Sequence, residues 1–265
     1  MSSIIKILFV GDVVGKPGRE AFVRLYPIIK KREGIGFCVV NAENAAGGSG
    51  ITGETADELL SAGADVLTSG DHVWRNREIL PLIAREPRVL RPANFPPGAP
   101  GRGSGSFPGP DGLKIGVINL LGRVFLAPLD CPFRRLEEEI RLLGRDCRVI
   151  LVDIHAEATS EKGALARFCD GRASAVIGTH THVPTADELI LPGGTAFLTD
   201  VGMTGPVDSI LGRKVEAILK HFLTGLPAVF EIAGVEVRLQ GALVEIDPSN
   251  GRALSIRRIE ERPPA

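Results

Sequence analysis

The feature that most constrains this chain is a recurring pair: a short apolar run, rich in β-branched residues, that ends abruptly in a carboxylate, amide or imidazole. Residues 4–10 run into Gly11-Asp12, residues 37–41 into Ala42-Glu43-Asn44, and residues 66–68 into Ser69-Gly70-Asp71-His72. Residues 149–154 end at His155, and residues 175–178 at Thr179-His180-Thr181-His182. Short, continuously apolar runs fit strands buried on both faces. Residues 114–120 and 195–199 read the same way. Between them, residues 18–31 place Phe22, Leu25, Ile28 and Ile29 on one helical stripe, and residues 52–62, 132–143, 162–168 and 213–224 are further helix candidates. Strand and helix in alternation predict βα units around a mostly parallel sheet, an α/β fold.

After about residue 225 the pattern changes. Residues 229–239, 242–246 and 254–259, separated by Gly241 and by Asp247-Pro248-Ser249-Asn250-Gly251, predict an antiparallel meander with tight turns. Residues 91–112 hold six Pro and six Gly, which predicts a long surface loop, either a lid or an insertion. No repeat of 20–50 residues is visible, and the 265 residues read as one domain spanning 1–265.

Composition excludes several classes. Lys and Arg number 31 against 32 Asp and Glu, so the net charge of -1 offers no basic tract for extended nucleic acid or anionic lipid. Apolar runs stop after a few residues, far below the roughly 20 that span a bilayer or the 7–15 of a signal peptide's core. We expect a soluble cytoplasmic protein with no membrane partner; a homo-oligomer is compatible with everything above. Cys38, Cys131, Cys147 and Cys169 show no paired-ligand spacing and read as reduced core thiols.

In open α/β sheets the carboxyl ends of strands form the ligand crevice, so the five polar strand ends can converge although distant in sequence. His180 and His182 support this, because residues two apart in an extended segment point to the same side. Several imidazoles and carboxylates in one crevice suit a pair of metal ions, and mixed nitrogen and oxygen donors suit Mn, Fe, Zn or Co. Two ions about 3.5–4 Å apart can clamp the oxygens of an in-line phosphoryl displacement. A phosphate-loop reading of residues 11–17 fails, because only three residues separate Gly11 from Gly15 and Pro17 follows Lys16. His221 reads as an ordinary helix residue. Asp153 and Asp200 also end apolar runs, where a turn role and orientation of ligands are equally open. Trp74, Arg75 and Arg91 are candidates for the border of a substrate site.

Gly11-Asp12, Asn41-Ala42-Glu43-Asn44, Gly70-Asp71-His72, Asp153-Ile154-His155 and Gly178-Thr179-His180-Thr181-His182 follow the order of the calcineurin-like metallophosphoesterase superfamily. More narrowly, GDVVGKPGR, NAENAAGG, RPANFP, HAEATSEK, GTHTHVPTAD and TDVGMTGP resemble the bacterial YmdB-type phosphodiesterases, from about residue 4 to residue 260. The resemblance implies a four-layer α/β/β/α sandwich and a dinuclear centre of iron or manganese, with zinc as the alternative. By position Asp12 and His182 match ligands of one ion, Glu43 the bridging carboxylate, and Asp71, His155 and His180 ligands of the other. Asn44 is similar to a family residue that ligates metal or contacts phosphate, and His72 to the superfamily's catalytic histidine.

The implied activity is a phosphodiesterase acting on a small phosphate ester, a 2′,3′- or 3′,5′-cyclic nucleotide. A metal-bridging hydroxide would attack phosphorus in line, and His72 would protonate the leaving oxygen. A phosphomonoesterase and a low-turnover regulatory protein that binds a phosphorylated ligand are the alternatives. Two departures stand out. Asp12 is followed by Val13-Val14 where the superfamily usually has Asp-x-His, and Asp71 stands where Asn is expected.

Overall fold

The computed structural model describes residues 4–263. In chain order the elements are β1 (Ile5–Val10), β2 (Asp12–Val13), α1 (Gly15–Glu33), β3 (Phe37–Asn41), α2 (Gly53–Ser61), β4 (Val66–Thr68), α3 (Ile79–Arg85) and β5 (Ser104–Pro108). They continue with β6 (Lys114–Leu121), α4 (Pro132–Leu143), β7 (Val149–His155), α5 (Thr159–Phe168), β8 (Ala175–Thr179), β9 (Leu189–Ile190) and β10 (Ala196–Leu198). The last are β11 (Met203–Pro206), α6 (Val215–Thr224), β12 (Val237–Asp247) and β13 (Arg252–Glu261). One sheet runs β2-β11-β12-β1-β3-β4, with β13 added along β12, and the other runs β5-β6-β7-β8-β10-β9.

Alternation along the strands decides the layers. In β1, Ile7 and Phe9 enter the core between the sheets, where they join Val117, Leu151 and Ile177. Leu8 and Val10 point the other way and pack with Phe22, Leu25 and Leu59 of α1 and α2. β7 repeats this on the second sheet: Val149 and Leu151 face inward, while Ile150 and Val152 meet Leu136, Ile140 and Leu165 of α4 and α5. Both sheets therefore bury both faces, and the four-layer α/β/β/α order follows. Each fully buried Leu, Ile or Phe contributes about 1.5–3 kcal/mol to that arrangement. Among the described residues no helix is long and apolar enough to cross a membrane.

Several expectations need correction. The buried stripe of α1 is Phe22, Leu25, Tyr26 and Ile29, whereas Ile28 is 52% exposed. Ile28 sits about 100° round the helix from Ile29, which turns it to solvent. The three-stranded meander is a two-stranded hairpin of β12 and β13, because Gly241 is not a turn but the middle of β12, opposite Val10. A β-carbon there would overlap the Phe9 carbonyl, so glycine permits the close approach of β1. The Pro/Gly-rich stretch contains an edge strand, β5, paired antiparallel with β6; residues 91–103 are loop and residues 109–112 make the tight turn into β6. Pro108 closes β5, as an edge strand allows.

Candidate metal centre

The residues singled out in the sequence meet at the carboxyl ends of β1, β3, β4, β7 and β8. The fold does this by geometry: parallel strands deliver their ends to one edge, and each end carries its polar group just beyond the last apolar residue. Glu43 Oε1 lies 3.1 Å from His155 Nε2 and 3.0 Å from His72 Nδ1. Asp71 Oδ1 lies 3.4 Å from His155 Nε2 and 3.6 Å from His180 Nδ1, and the two imidazoles approach to 3.0 Å. One donor atom each from Glu43, Asp71, His155 and His180 fall within 4.8 Å of one another, a group that could hold a metal ion. Beside them Asp12 Oδ1 is 3.7 Å from His182 Nε2 and 3.8 Å from His155 Nδ1.

Neighbours fix the orientation of these rings. The Thr179 hydroxyl donates to Asp153 Oδ1 at 2.8 Å, so its oxygen can accept from His155 Nδ1 at 2.8 Å. That leaves His155 Nε2 to face Glu43 and Asp71. His182 Nδ1 donates to the Leu211 carbonyl at 3.2 Å, which turns Nε2 toward Asp12 and toward the Asn44 amide at 3.0 Å. Asn44 Oδ1 accepts from His72 Nδ1 at 3.1 Å. Buried Asp153 also accepts from Asn41 and Thr68, so it serves as an anchor and not as a turn residue.

The loop carrying His180 and His182 is strained: their φ angles are 100° and 64°, a region that non-glycine residues avoid. Two hydrogen bonds hold it, and a third fixes the Asp200 carboxylate that makes one of them. His180 N donates to Asp12 Oδ2 at 3.1 Å, Thr181 N to Asp200 Oδ2 at 3.1 Å, and Gly202 N to Asp200 Oδ1 at 2.9 Å. Asp200 is in turn paired at 2.7 Å with Lys162, and both side chains are buried.

The electrostatics follow from burial and crowding. Burial pushes the Asp12 carboxyl up to about 6, even though His155 and His182 oppose it. For Glu43 burial also raises, but His155 and His72 outweigh it and hold the carboxyl well below its usual range. Burial lowers His155, yet Glu43 and Asp71 prevail and carry it well above the ordinary imidazole value. His180 falls to about 4 through burial and the neighbouring His155. The hydrogen bond to Glu43 raises His72.

Two orphaned atoms test whether metal fits. Asp12 Oδ1 and Asp71 Oδ1 are both buried with no hydrogen-bond partner. A buried carboxylate oxygen without a partner costs more than the roughly 1–3 kcal/mol of a neutral group, and a cation between them and the imidazoles removes that cost. The mixed donor set suits transition metals. The residues fit such ions.

Some contributors were not legible in the sequence. Glu157 Oε2 lies 3.2 Å from His180 Nε2, and its only signal is its place two residues after His155. Gly70 is required because a β-carbon there would overlap Glu43 Oε2 and the His155 ring. Arg91 does not border the site. It is buried and spends its guanidinium on the carbonyls of Pro92, Ala93 and Pro100, which ties the Pro/Gly-rich loop together. Trp74 packs edge-on against Phe95. His221 donates to the Leu226 carbonyl at the end of α6. All four cysteines are free; Cys38, Cys147 and Cys169 are buried and Cys131 is half-buried.

The cluster opens onto a cleft of about 370 Å³, within the range of small-molecule sites. A second hollow of about 380 Å³, bordered by Ile5, Gly36 and Pro110, lies at the amino ends of the strands and holds none of these groups.

Two helix-flanked sheets packed face to face, with carboxylates and imidazoles gathered at the strand ends, define a sandwich of the metallophosphoesterase type. The chain belongs to the YmdB-like protein family, whose profile matches residues 8–259. It is 48% identical over 255 residues to the 2′,3′-cyclic-nucleotide 2′-phosphodiesterase of Bacillus subtilis (strain 168), covering 96% of each chain. A hypothetical protein of known structure from Thermus thermophilus shares 42% identity and a TM-score of 0.91, covering 98% of this chain and 100% of that one. A phosphatase structure from Mycoplasma pneumoniae shares 35% identity and a TM-score of 0.92, covering 98% of this chain and 94% of that one.

Proposed function

We propose that this chain is a cytoplasmic metal-dependent phosphodiesterase acting on 2′,3′- or 3′,5′-cyclic nucleotides, with two transition-metal ions, iron or manganese in preference to zinc. The observation that carries this reading is the convergence of Asp12, Glu43, Asp71, His155, His180 and His182, with two buried carboxylate oxygens left unpaired. The activity named for the 48%-identical Bacillus subtilis relative supports the substrate class.

In this reading Asp12 and His182 would hold one ion, Asp71, His155 and His180 the other, and Glu43 would contribute to both. Asn44 ligates or contacts phosphate. Bound ions supply Lewis acidity toward the phosphoryl oxygens and an activated water as nucleophile. The remaining work belongs to the chain. His72 lines the cleft with Nδ1 turned to Asn44 and Glu43, and its Nε2 lies on the opposite side of the ring, 3.7 Å from Asp71 Oδ2. The hydrogen bond to Glu43 raises its proton affinity, the direction a general acid for the leaving oxygen requires. Lys162 and Asp200 hold the strained His180-Thr181-His182 loop in place.

A phosphomonoesterase would meet a dianion. Arg213, the one Lys or Arg side chain among the described residues lining the cleft, is committed to the carbonyls of Gly47, Gly48 and Phe230, which favours a diester. Asp71 favours one second reading, a low-turnover regulatory protein holding a phosphorylated ligand; slow single turnover with retained product would identify it. The deciding experiment is metal analysis of protein purified without chelator, followed by assays on 2′,3′- and 3′,5′-cyclic nucleotides. Two ions per chain and steady turnover are expected. Protein free of metal under those conditions would overturn the reading.

A further inference from the structure

Part of the cleft lining, joined to the cluster where His182 meets the Leu211 carbonyl, has a different chemistry. It is built from Ile210, Leu211, Ile218 and Phe222, whose side chains carry no hydrogen-bonding group. Two features of this wall are unfavourable for a surface with no ligand.

The first is the turn at Leu211-Gly212. Ile210 and Arg213 exchange backbone hydrogen bonds of 2.9 and 3.0 Å, and the two residues between them have φ of 52° and 87°. This is a two-residue hairpin with both central residues left-handed, a turn that favours Asn-Gly. Leucine at the first position is strained, and such strain clusters at functional sites. Ser209 secures the turn, accepting from Gly212 N at 2.9 Å and donating to the Pro206 carbonyl at 2.6 Å. The same backbone presents the Leu211 carbonyl to His182 and leaves the Leu211 side chain 48% exposed at the cleft.

The second is α6. Ile218 is its one buried residue, and Phe222, four residues on, lies on the same face. Phe222 is 76% exposed at the cleft rim. With Arg213 committed to backbone carbonyls, the wall carries no free charge among the described residues. Part of the cleft thus offers carboxylates and imidazoles suited to metal and phosphate, and part offers apolar side chains.

We propose that Leu211, Ile218 and Phe222 form the subsite for the nucleobase, which stacks on Phe222 while the phosphate lies toward the metal cluster. This rests on the cyclic-nucleotide reading above. Because Ile210, Leu211, Ile218 and Phe222 carry no group that reads a base edge and Arg213 is committed to backbone carbonyls, recognition is by stacking and area: all four bases are accepted, and purines bind more tightly than pyrimidines. The continuity of the wall with the cluster and the size of the cleft select a substrate group as the occupant.

The test compares wild type, Phe222→Ala and Phe222→Trp on 2′,3′-cyclic AMP, 2′,3′-cyclic CMP and glycerol 1,2-cyclic phosphate, which has the cyclic diester and no base. Loss of one base stack predicts a KM for cyclic AMP about tenfold higher in Phe222→Ala. Its kcat and its kcat/KM on the base-free ester stay within about twofold of wild type by the same reasoning, and Trp restores KM. An unchanged KM for cyclic AMP in Phe222→Ala, or equal losses on both substrates, overturns the subsite while leaving the phosphodiesterase intact. Wild-type protein that hydrolyses the base-free ester and neither nucleotide overturns the cyclic-nucleotide reading itself. Sedimentation of the same proteins gives the remaining outcome: a wild-type dimer that Phe222→Ala dissociates with KM unchanged assigns the surface to a second copy and overturns the proposal.

Discussion

Replacing Lys162 by methionine isolates a part of the centre that makes no contact with substrate. Lys162 and Asp200 are both fully buried, and the ammonium lies 2.7 Å from Asp200 Oδ2. Methionine keeps most of the side-chain volume and removes the charge. Asp200 then keeps two amide donors, Thr181 N at 3.1 Å and Gly202 N at 2.9 Å, but has no countercharge. Breaking a buried ion pair on one side costs about 3–5 kcal/mol. The two surviving hydrogen bonds place this case at the low end, about 3 kcal/mol. At about 2–4 °C of Tm per kcal/mol for a chain of this size, the melting temperature should fall by about 6–12 °C. Calorimetry on chelator-treated protein reads this without interference from metal. A parallel metal titration should show roughly 10–100-fold weaker binding, since Thr181 lies between His180 and His182 and Asp200 orients it. Lys162→Met/Asp200→Asn should recover part of the lost stability because no charge remains buried. A Tm change below about 2 °C in the single variant would refute the reasoning, since it would mean Asp200 needs no countercharge.

Other perturbations separate the roles of individual groups. Gly70→Ala should keep the fold and lose metal, because a β-carbon there overlaps Glu43 and the His155 ring; full metal content by elemental analysis would contradict this. Glu43→Ala should strip metal and activity together, and stoichiometric metal in that variant would rule out a bridging carboxylate. His72→Ala should lower kcat by about 10²–10⁴-fold with metal content unchanged, and unaltered turnover would remove His72 from the proton transfer.

Much of the molecule was legible because local pattern and tertiary outcome share a cause. Strands buried on both faces must be continuously apolar, so β1, β3, β6 and β7 announced themselves. Their ends announced the candidate groups, since polar residues there must find partners. The errors are equally physical. Ile28 satisfied an approximate spacing but lies off the buried arc of α1. Gly241 resembled a turn residue because glycine marks both turns and close backbone approaches, and only the position of Phe9 tells them apart.

By itself, the sequence determined the α/β class, the order of the chemical groups along the strands and the family resemblance, all of which are properties of short segments. Only the tertiary structure decided that Lys162 is buried against an aspartate 38 positions away, that Arg91 and Arg213 are committed to backbone carbonyls, and that Leu211 sits in a strained turn facing His182. It also decided that α6 sets Phe222 at the cleft rim. Burial, backbone strain and the availability of a charge depend on what remote segments place beside a residue. For Lys162 and Phe222 those neighbours exist only once the two sheets have packed and brought the strand ends together.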